Sequence, residues 1–269
     1  MHPSLKELIS LLDLEEIETG LFRGLHPAGR RKRLFGGQVI AQALVAATKT
    51  VEIEKIPHSL HAYFIRPGTW KVPVLLEVES VRNGRSFSTR RVLAIQDGEA
   101  ILSMDISFQV KESGLEHQMR DAPSFKPPKE DGMVDGLKQR PFLSYRENHK
   151  AKMEPEPQSP EQHIWLKANG RVSENHLMHM ALLAYQSDEA LLSTARLPHR
   201  GSYLSEELQG ASLDHSIWFH HPVNVNDWLM YWLDSPRTGN ARGYTRGEIY
   251  NADGLLVASC IQEGLMRRL

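Results

Sequence analysis

Cysteine is nearly absent. The 269 residues contain only Cys260, so no intrachain disulfide can form, and a reducing compartment is the expected home. An excess of charge of one sign is missing too. Lys and Arg number 32 against 33 Asp and Glu, a net charge of −1. That excludes a nucleic-acid binder or a polybasic membrane surface. The one basic run, Arg30-Arg31-Lys32-Arg33, is short and reads as solvated surface or as a meeting point for a phosphorylated ligand. No apolar run reaches the roughly 18 residues of a membrane span. The first residues lack the basic-then-apolar order of a signal peptide. The chain ends Arg267-Arg268-Leu269, with Arg where a peroxisomal tripeptide needs a small residue. These absences describe a cytoplasmic protein. Walker, dinucleotide, His-Glu-x-x-His and Gly-x-Ser-x-Gly patterns are also missing, so no cofactor, no metal and no serine-hydrolase elbow are expected.

What is present is an internal echo. Residues 211–222 and 58–67 both run small or polar, Leu, His, aromatic, Phe, basic, Pro. The echo continues from Arg90 and Asp97-Gly98 to Arg246 and Asp253-Gly254. Pro222 follows Pro67 by 155 positions, and both later pairs are 156 apart. A near-constant offset over this distance indicates one unit duplicated and fused. The copies can then be compared, and chemistry should sit where they differ.

Residues 5–18 predict an amphipathic helix with Leu5, Leu8, Ile9 and Leu12 on one stripe. Gly36-Gly37 punctuate the start of an Ala-rich helix over 38–51 that is apolar almost all round, hence buried. Segments 59–65, 72–81, 86–96 and 100–110 predict strands, separated by turn signals at Pro67-Gly68, Asn83-Gly84 and Asp97-Gly98. A buried helix followed by an antiparallel meander is a complete α+β unit. The second copy predicts a strand at 162–168, a helix over 174–192, and strands at 213–220, 227–235, 241–250 and 255–266. The expected division is residues 1–111, a connection over 112–161, and residues 162–269. Seven of the fifteen prolines crowd the connection and its edge (123, 127, 128, 141, 155, 157 and 160). Short helices around 134–150 are expected within it.

The copies differ at an acid on the second helix, and two further polar residues of the second copy stand out. Asp188 falls on the apolar stripe of the second helix, with Ala184 before it and Leu191 after. The first helix carries no acid. A buried carboxylate is costly unless satisfied, and the alternative reading is a shorter helix that ends at Asp188 in solvent. Gln262 continues the row Leu256, Ala258, Cys260 on the last strand, where a buried amide needs partners. Ser212 precedes the strand 213–220 and reads as a strand-edge hydroxyl. Rival constellations carry less. Asp214-His215-Ser216 contains triad residue types, but strand neighbours point to opposite faces. The pairs His58/His61 and His176/His179 read as structural. Cys260 reads as a small buried strand residue.

The chain resembles the acyl-CoA thioesterase II family of double-hotdog enzymes. The resemblance rests on residues 20–24 (Gly-Leu-Phe-Arg-Gly), 34–38 (Leu-Phe-Gly-Gly-Gln), 58–68, 214–220 and 257–264, and it covers nearly the whole chain. It implies two tandem units, each a central helix wrapped by antiparallel sheet, with the sheets joined into one. It also implies hydrolysis of acyl-CoA to fatty acid and CoA. In the family an Asp on the hotdog helix, a Thr or Ser, and a Gln position a water, and these match Asp188, Ser212 and Gln262. The resemblance further implies a homo-oligomer, a dimer or tetramer. The expectation is one site per chain, built by the second unit, with the first kept for sheet pairing and pocket walls. A hotdog hydratase fits the Asp and Gln pair poorly. The remaining alternative is a non-catalytic acyl-CoA binding or sensing protein.

Overall fold

The structure is a computed structural model that describes residues 1–27, 33–120, 126–128, 139–146, 156–203 and 207–269. Of the basic run, Arg30 to Lys32 lie outside the described residues. Helix α1 (Pro3–Leu12) starts with Pro3 at its first position, and the His2 side chain accepts from Ser4 N–H, which fits the missing donor and fixed φ of proline. Leu5, Leu8 and Leu12 are buried, as the stripe predicts. The helix is shorter than the 5–18 pattern. It stops at Asp13, and Glu15–Glu18 becomes β1, a fully exposed edge strand. Three glutamates in four residues keep that edge from pairing with another chain.

β2 (Leu21–Gly24) leads to α2 (Gly36–Thr48). Ten of its thirteen residues are buried, so its all-round apolar pattern reports burial on every side. The four predicted strands follow as β3 (Lys55–Phe64), β4 (Val74–Asn83), β5 (Phe87–Gln96) and β6 (Glu99–Val110), but only β4, β5 and β6 form the expected meander, because β3 pairs with β6 and not with β4. Asp97 and Gly98 turn β5 into β6 with φ of 50° and 78°, the left-handed pair a two-residue hairpin requires.

The connection is not helical where it is described. Residues 142–146 form β7 (Phe142–Arg146), which pairs with β8 (Glu161–Ala168); residues 134–138 and 147–150 lie outside the described residues. Phe142 and Ser144 are buried and alternate with partly exposed neighbours, a period-2 pattern that overrides any helical reading. The second unit continues with α3 (His176–Ser187) and α4 (Leu191–Arg196), a 3-10 turn at Leu197–His199, then β9 (Leu208–Ser212), β10 (Asp214–Phe219), β11 (Leu229–Gly239), β12 (Arg242–Tyr250) and β13 (Leu256–Arg268). The single helix predicted over 174–192 is therefore broken. Ala190 sits at φ 88°, which no α-helix tolerates, and Asp188 is the C-cap of α3.

All strands among the described residues join one sheet in the order β1-β2-β4-β5-β6-β3-β10-β13-β12-β11-β8-β7, with β9 beside β13. The order β4-β5-β6-β3 is mirrored by β11-β12-β13-β10. The seam is β3 against β10, antiparallel, with His61 opposite Ser216. Those two residues are themselves 155 apart, the repeat offset, so the pseudo-twofold axis runs through this pair. The two echo segments found in the sequence are thus each other's neighbours. One core cluster spans both halves, from Leu44, Leu60 and Met104 to Ala184, Ile217 and Cys260, with α2 packed against α3. Among the described residues no helix is long and apolar enough to cross a membrane.

One echo pair is out of step. Arg90 is 3% exposed, while Arg246 lies outside, paired with Asp234 at 2.5 Å. A one-residue slip in a strand exchanges its faces. The buried counterpart of Arg90 is Thr245, because Arg90 pairs with Ile106 and Thr245 pairs with Gln262 in equivalent ladders.

Candidate active site

The end of α3 meets the start of α2. Asp188, the α3 C-cap, is only 9% exposed. It ends a shorter helix, as the alternative reading had it, but inside the protein rather than in solvent. Three donors surround its carboxylate. Gly37 N–H donates to Oδ2 at 2.9 Å. Gln262 Nε2 donates to Oδ1 at 2.6 Å, and Ser212 Oγ to the same oxygen at 3.3 Å. The three residues chosen from the sequence therefore come together, brought from the end of α3, from β9 and from β13.

The fourth participant, Gly37, comes from the first unit. The sequence reading left the first unit sheet pairing and pocket walls, and this contact adds a donor from it to the Asp188 carboxylate. Orphan N–H groups at a helix start, reinforced by the helix dipole, favour a carboxylate there. The glycines are needed for the approach. A Cβ on Gly36 would stand 2.9 Å from Asp188 Oδ2 and 2.7 Å from the Phe64 ring, and one on Gly37 would run into Tyr185 O. The Gly36-Gly37 pair was legible as punctuation. Its second meaning, close contact of two backbones, needs the partner helix in view.

A polar layer supports α3 from the inner face of the sheet. The Tyr231 hydroxyl donates to Ser187 O at 2.8 Å and lies 2.9 Å from Cys260 Sγ. With that proton committed, the thiol donates to Tyr231 Oη. Burial pushes the Cys260 thiol up to about 12 and the Tyr231 phenol well above its usual range, so neither ionises at neutral pH. His215 is fully buried, with Nε2 2.9 Å from Ser187 Oγ, which itself donates to Ala184 O at 3.0 Å. Burial lowers the His215 pKa, against the opposing pull of the Asp188 charge. A neutral imidazole is the form that fits this dry site. Cys260 was read from the sequence as a small buried strand residue and His215 only as part of a rival triad, while Ser187 and Tyr231 gave no signal, because such residues are ordinary core and helix-end residues.

The rival constellations separate. Asp214 Oδ1 accepts from Glu263 N–H, His215 points inward to Ser187, and Ser216 points outward, 3.1 Å from His61. His179 is committed structurally, accepting from Val225 N–H at Nδ1 with Nε2 2.9 Å from Ser173 O. Among the described residues no group of three or more His, Cys, Asp or Glu is placed to hold a metal.

Asp188 and Ser212 open onto a cavity of about 630 Å³ walled by Phe35, Phe64, Leu192 and Leu213, with Arg33 and Arg66 also lining it. A second cavity of about 240 Å³ lies beyond Leu34 and Phe35, which line both. Phe35 packs edge-on against Tyr185 with ring centroids 5.0 Å apart.

Two family models match the chain, one described as acyl-CoA thioesterase over residues 139–265 and one as acyl-CoA thioesterase N-terminal domain over residues 26–109. Acyl-coenzyme A thioesterase 8 of Mus musculus is 40% identical, covering 96% of this chain and 88% of the relative. Acyl-CoA thioesterase 2 of Haemophilus influenzae is 37% identical over 99% of both chains. An acyl-CoA thioesterase II from Mycobacterium marinum superimposes with a TM-score of 0.85 at 37% identity, covering 97% of this chain and 98% of the other. A hot-dog-fold protein from Alicyclobacillus acidocaldarius, 18% identical with a TM-score of 0.79 over 97% of this chain and 98% of the other, shares the fold. The architecture is a double hotdog, and the chain belongs to the acyl-CoA thioesterase family, which makes it a thioester hydrolase.

Proposed function

We propose that the protein hydrolyses acyl-CoA thioesters to free fatty acid and CoA by direct attack of a water held and deprotonated by Asp188, Ser212 and Gln262. The observation that carries this reading is the Asp188 carboxylate, buried at a cavity wall and gripped by an amide, a hydroxyl and a helix-start N–H. Asp188 takes one proton from the water as its oxygen bonds to the thioester carbonyl carbon. Gln262 and Ser212 restrict the orientation of carboxylate and water together, which lowers the entropic part of the barrier. The carbonyl oxygen becomes an oxyanion, which N–H donors at the site must stabilise. Collapse breaks the C–S bond. The sulfur leaves as a thiolate, a good leaving group since a free thiol ionises near 8.5, and the proton on Asp188 passes to it. No acyl-enzyme forms, and Cys260, protonated and buried, takes no part.

The apolar walls contributed by Phe35, Val39, Phe64, Leu192 and Leu213 suit an acyl chain, and Arg33 and Arg66 line the same cavity. Binding without turnover is the second reading, and the gripped carboxylate argues against it, since a merely binding tunnel gains nothing from a buried acid. Thiol release from a panel of acyl-CoAs, with wild type and Asp188→Asn, tests the proposal. Asp188→Asn is expected to lower kcat by about 10²–10⁴ with an unchanged circular dichroism spectrum. Near-normal turnover by the folded variant would sink it.

A further inference from the structure

Thr245 and Gln262 face each other directly in the β12–β13 ladder and point to the same inner side of the sheet. They are 1% and 2% exposed. Each carries an oxygen that meets no hydrogen-bond partner among the described residues, Thr245 Oγ1 and Gln262 Oε1. Buried polar atoms are rarely left so. Here the two orphans are complementary. A hydroxyl donates, a carboxamide oxygen accepts, and directly opposed strand residues hold their Cβ atoms about 5 Å apart. That spacing lies within reach of a direct bond after a change of side-chain rotamer, or of one bridging water.

The amide geometry gives this pair a consequence. Gln262 spends Nε2 on Asp188. A free carboxamide can turn over and present Oε1 to the carboxylate instead, which would set two acceptors against each other. A donor at the other end forbids the flip. The first unit shows what the position holds without a site beside it. There the same ladder pair is Arg90 and Ile106. Arg90 turns its guanidinium away to the end of α2, donating to Thr50 O and Thr50 Oγ1 at 2.8 Å. The polar pair Thr245 and Gln262 belongs to the unit that carries the acid.

We propose that Thr245 is a positioning residue, its hydroxyl donating to Gln262 Oε1 directly or through one water, so that Nε2 stays on Asp188. The inference rests on the proposed role of Gln262 in holding the water. It is tested with Thr245→Val, which keeps the shape and removes the donor, Thr245→Ser, which keeps the donor, and each in a Gln262→Ala background. The expected result for Thr245→Val is a kcat lower by roughly tenfold, the order of one buried hydrogen bond, with KM within about twofold and an unchanged or higher Tm. Thr245→Ser should stay within about threefold of wild type. In the Gln262→Ala background Thr245→Val should cost nothing more, because the partner is gone. Wild-type kcat in Thr245→Val overturns the proposal, as does an equal loss in Val and Ser or a full tenfold loss in the Gln262→Ala background. Near-normal turnover by Gln262→Ala alone would instead overturn the role of Gln262 itself.

Discussion

At the scale of residues, the site is a carboxylate with more donors than an exposed acid would collect. Ser212 and Gln262 share Oδ1 at 3.3 and 2.6 Å, and the longer bond marks Ser212 as the looser partner. Ser212→Ala is therefore expected to lower kcat by about tenfold and Gln262→Ala by about a hundredfold, each measured as thiol release at saturating acyl-CoA. Ser212→Thr keeps the hydroxyl and should stay within a few-fold of wild type. An inactive Ser212→Thr would point to steric rather than hydrogen-bonding control. Asp188 and Gln262 were legible because each interrupts an apolar row, and burial of a polar group demands a reason. Ser212 offered no such contrast. A serine before a strand looks the same whether it caps, turns or reacts, and only resemblance to a family singled it out.

At the scale of elements, two helix ends and one hairpin decide the geometry. α2 begins where α3 stops, and Gly36-Gly37 let the ends touch. Gly37→Ala forces a Cβ against Tyr185 O. It should lower stability by about 1–3 kcal/mol, the usual cost of overpacking, seen as a lower Tm, and should lower kcat as the displaced helix start draws its N–H away from Asp188. A variant with wild-type Tm and kcat would show that the helix ends have room to spare. The turn between β11 and β12 is the reverse case. Asn240 and Ala241 both adopt left-handed backbone, at φ 49° and 57°, which suits Asn and strains Ala. Ala241→Gly should stabilise by about 0.5–1 kcal/mol, raising Tm by about 2 °C; a fall in Tm would contradict the strain. Most strands were readable from alternation and turn residues, but their order was not, since β3 leaves the expected meander to pair with β6 and β10. The break in the second helix was legible only as the alternative of a shorter helix ending at Asp188, since no Gly or Pro announces it.

At the scale of the whole molecule, the duplication gives one sheet, one core and a seam of His61 against Ser216. The inner faces of the two halves then diverge. Leu60, Leu76, Met104 and Ile106 in the first become His215, Tyr231, Cys260 and Gln262 in the second, all of them buried. Burial also sets the pH response. His26, His58, His176, His215 and His220 all have pKa values lowered, chiefly by desolvation. The unfolded chain then binds more protons near pH 6 than the folded one, so stability rises with pH through that range. It is lost as pH falls below about 6.5, the unfolded histidine value. Asp214, raised by burial, works in the opposite sense, but only in the carboxylate range. Thermal melts should show Tm falling from pH 7 to pH 5.5, and a rise on acidification would contradict the sign. By itself the sequence determined the duplication, the α+β units, the turns and the two polar intrusions, because period, offset and composition are local properties that survive without coordinates. Only the tertiary structure decided that the first unit lends Gly37 to the acid, that Arg90 answers to Thr245 rather than Arg246, and that the echo segments pair with each other. Each of these depends on which strands and helix ends become neighbours, and that follows from burying one shared core rather than from any single stretch of chain.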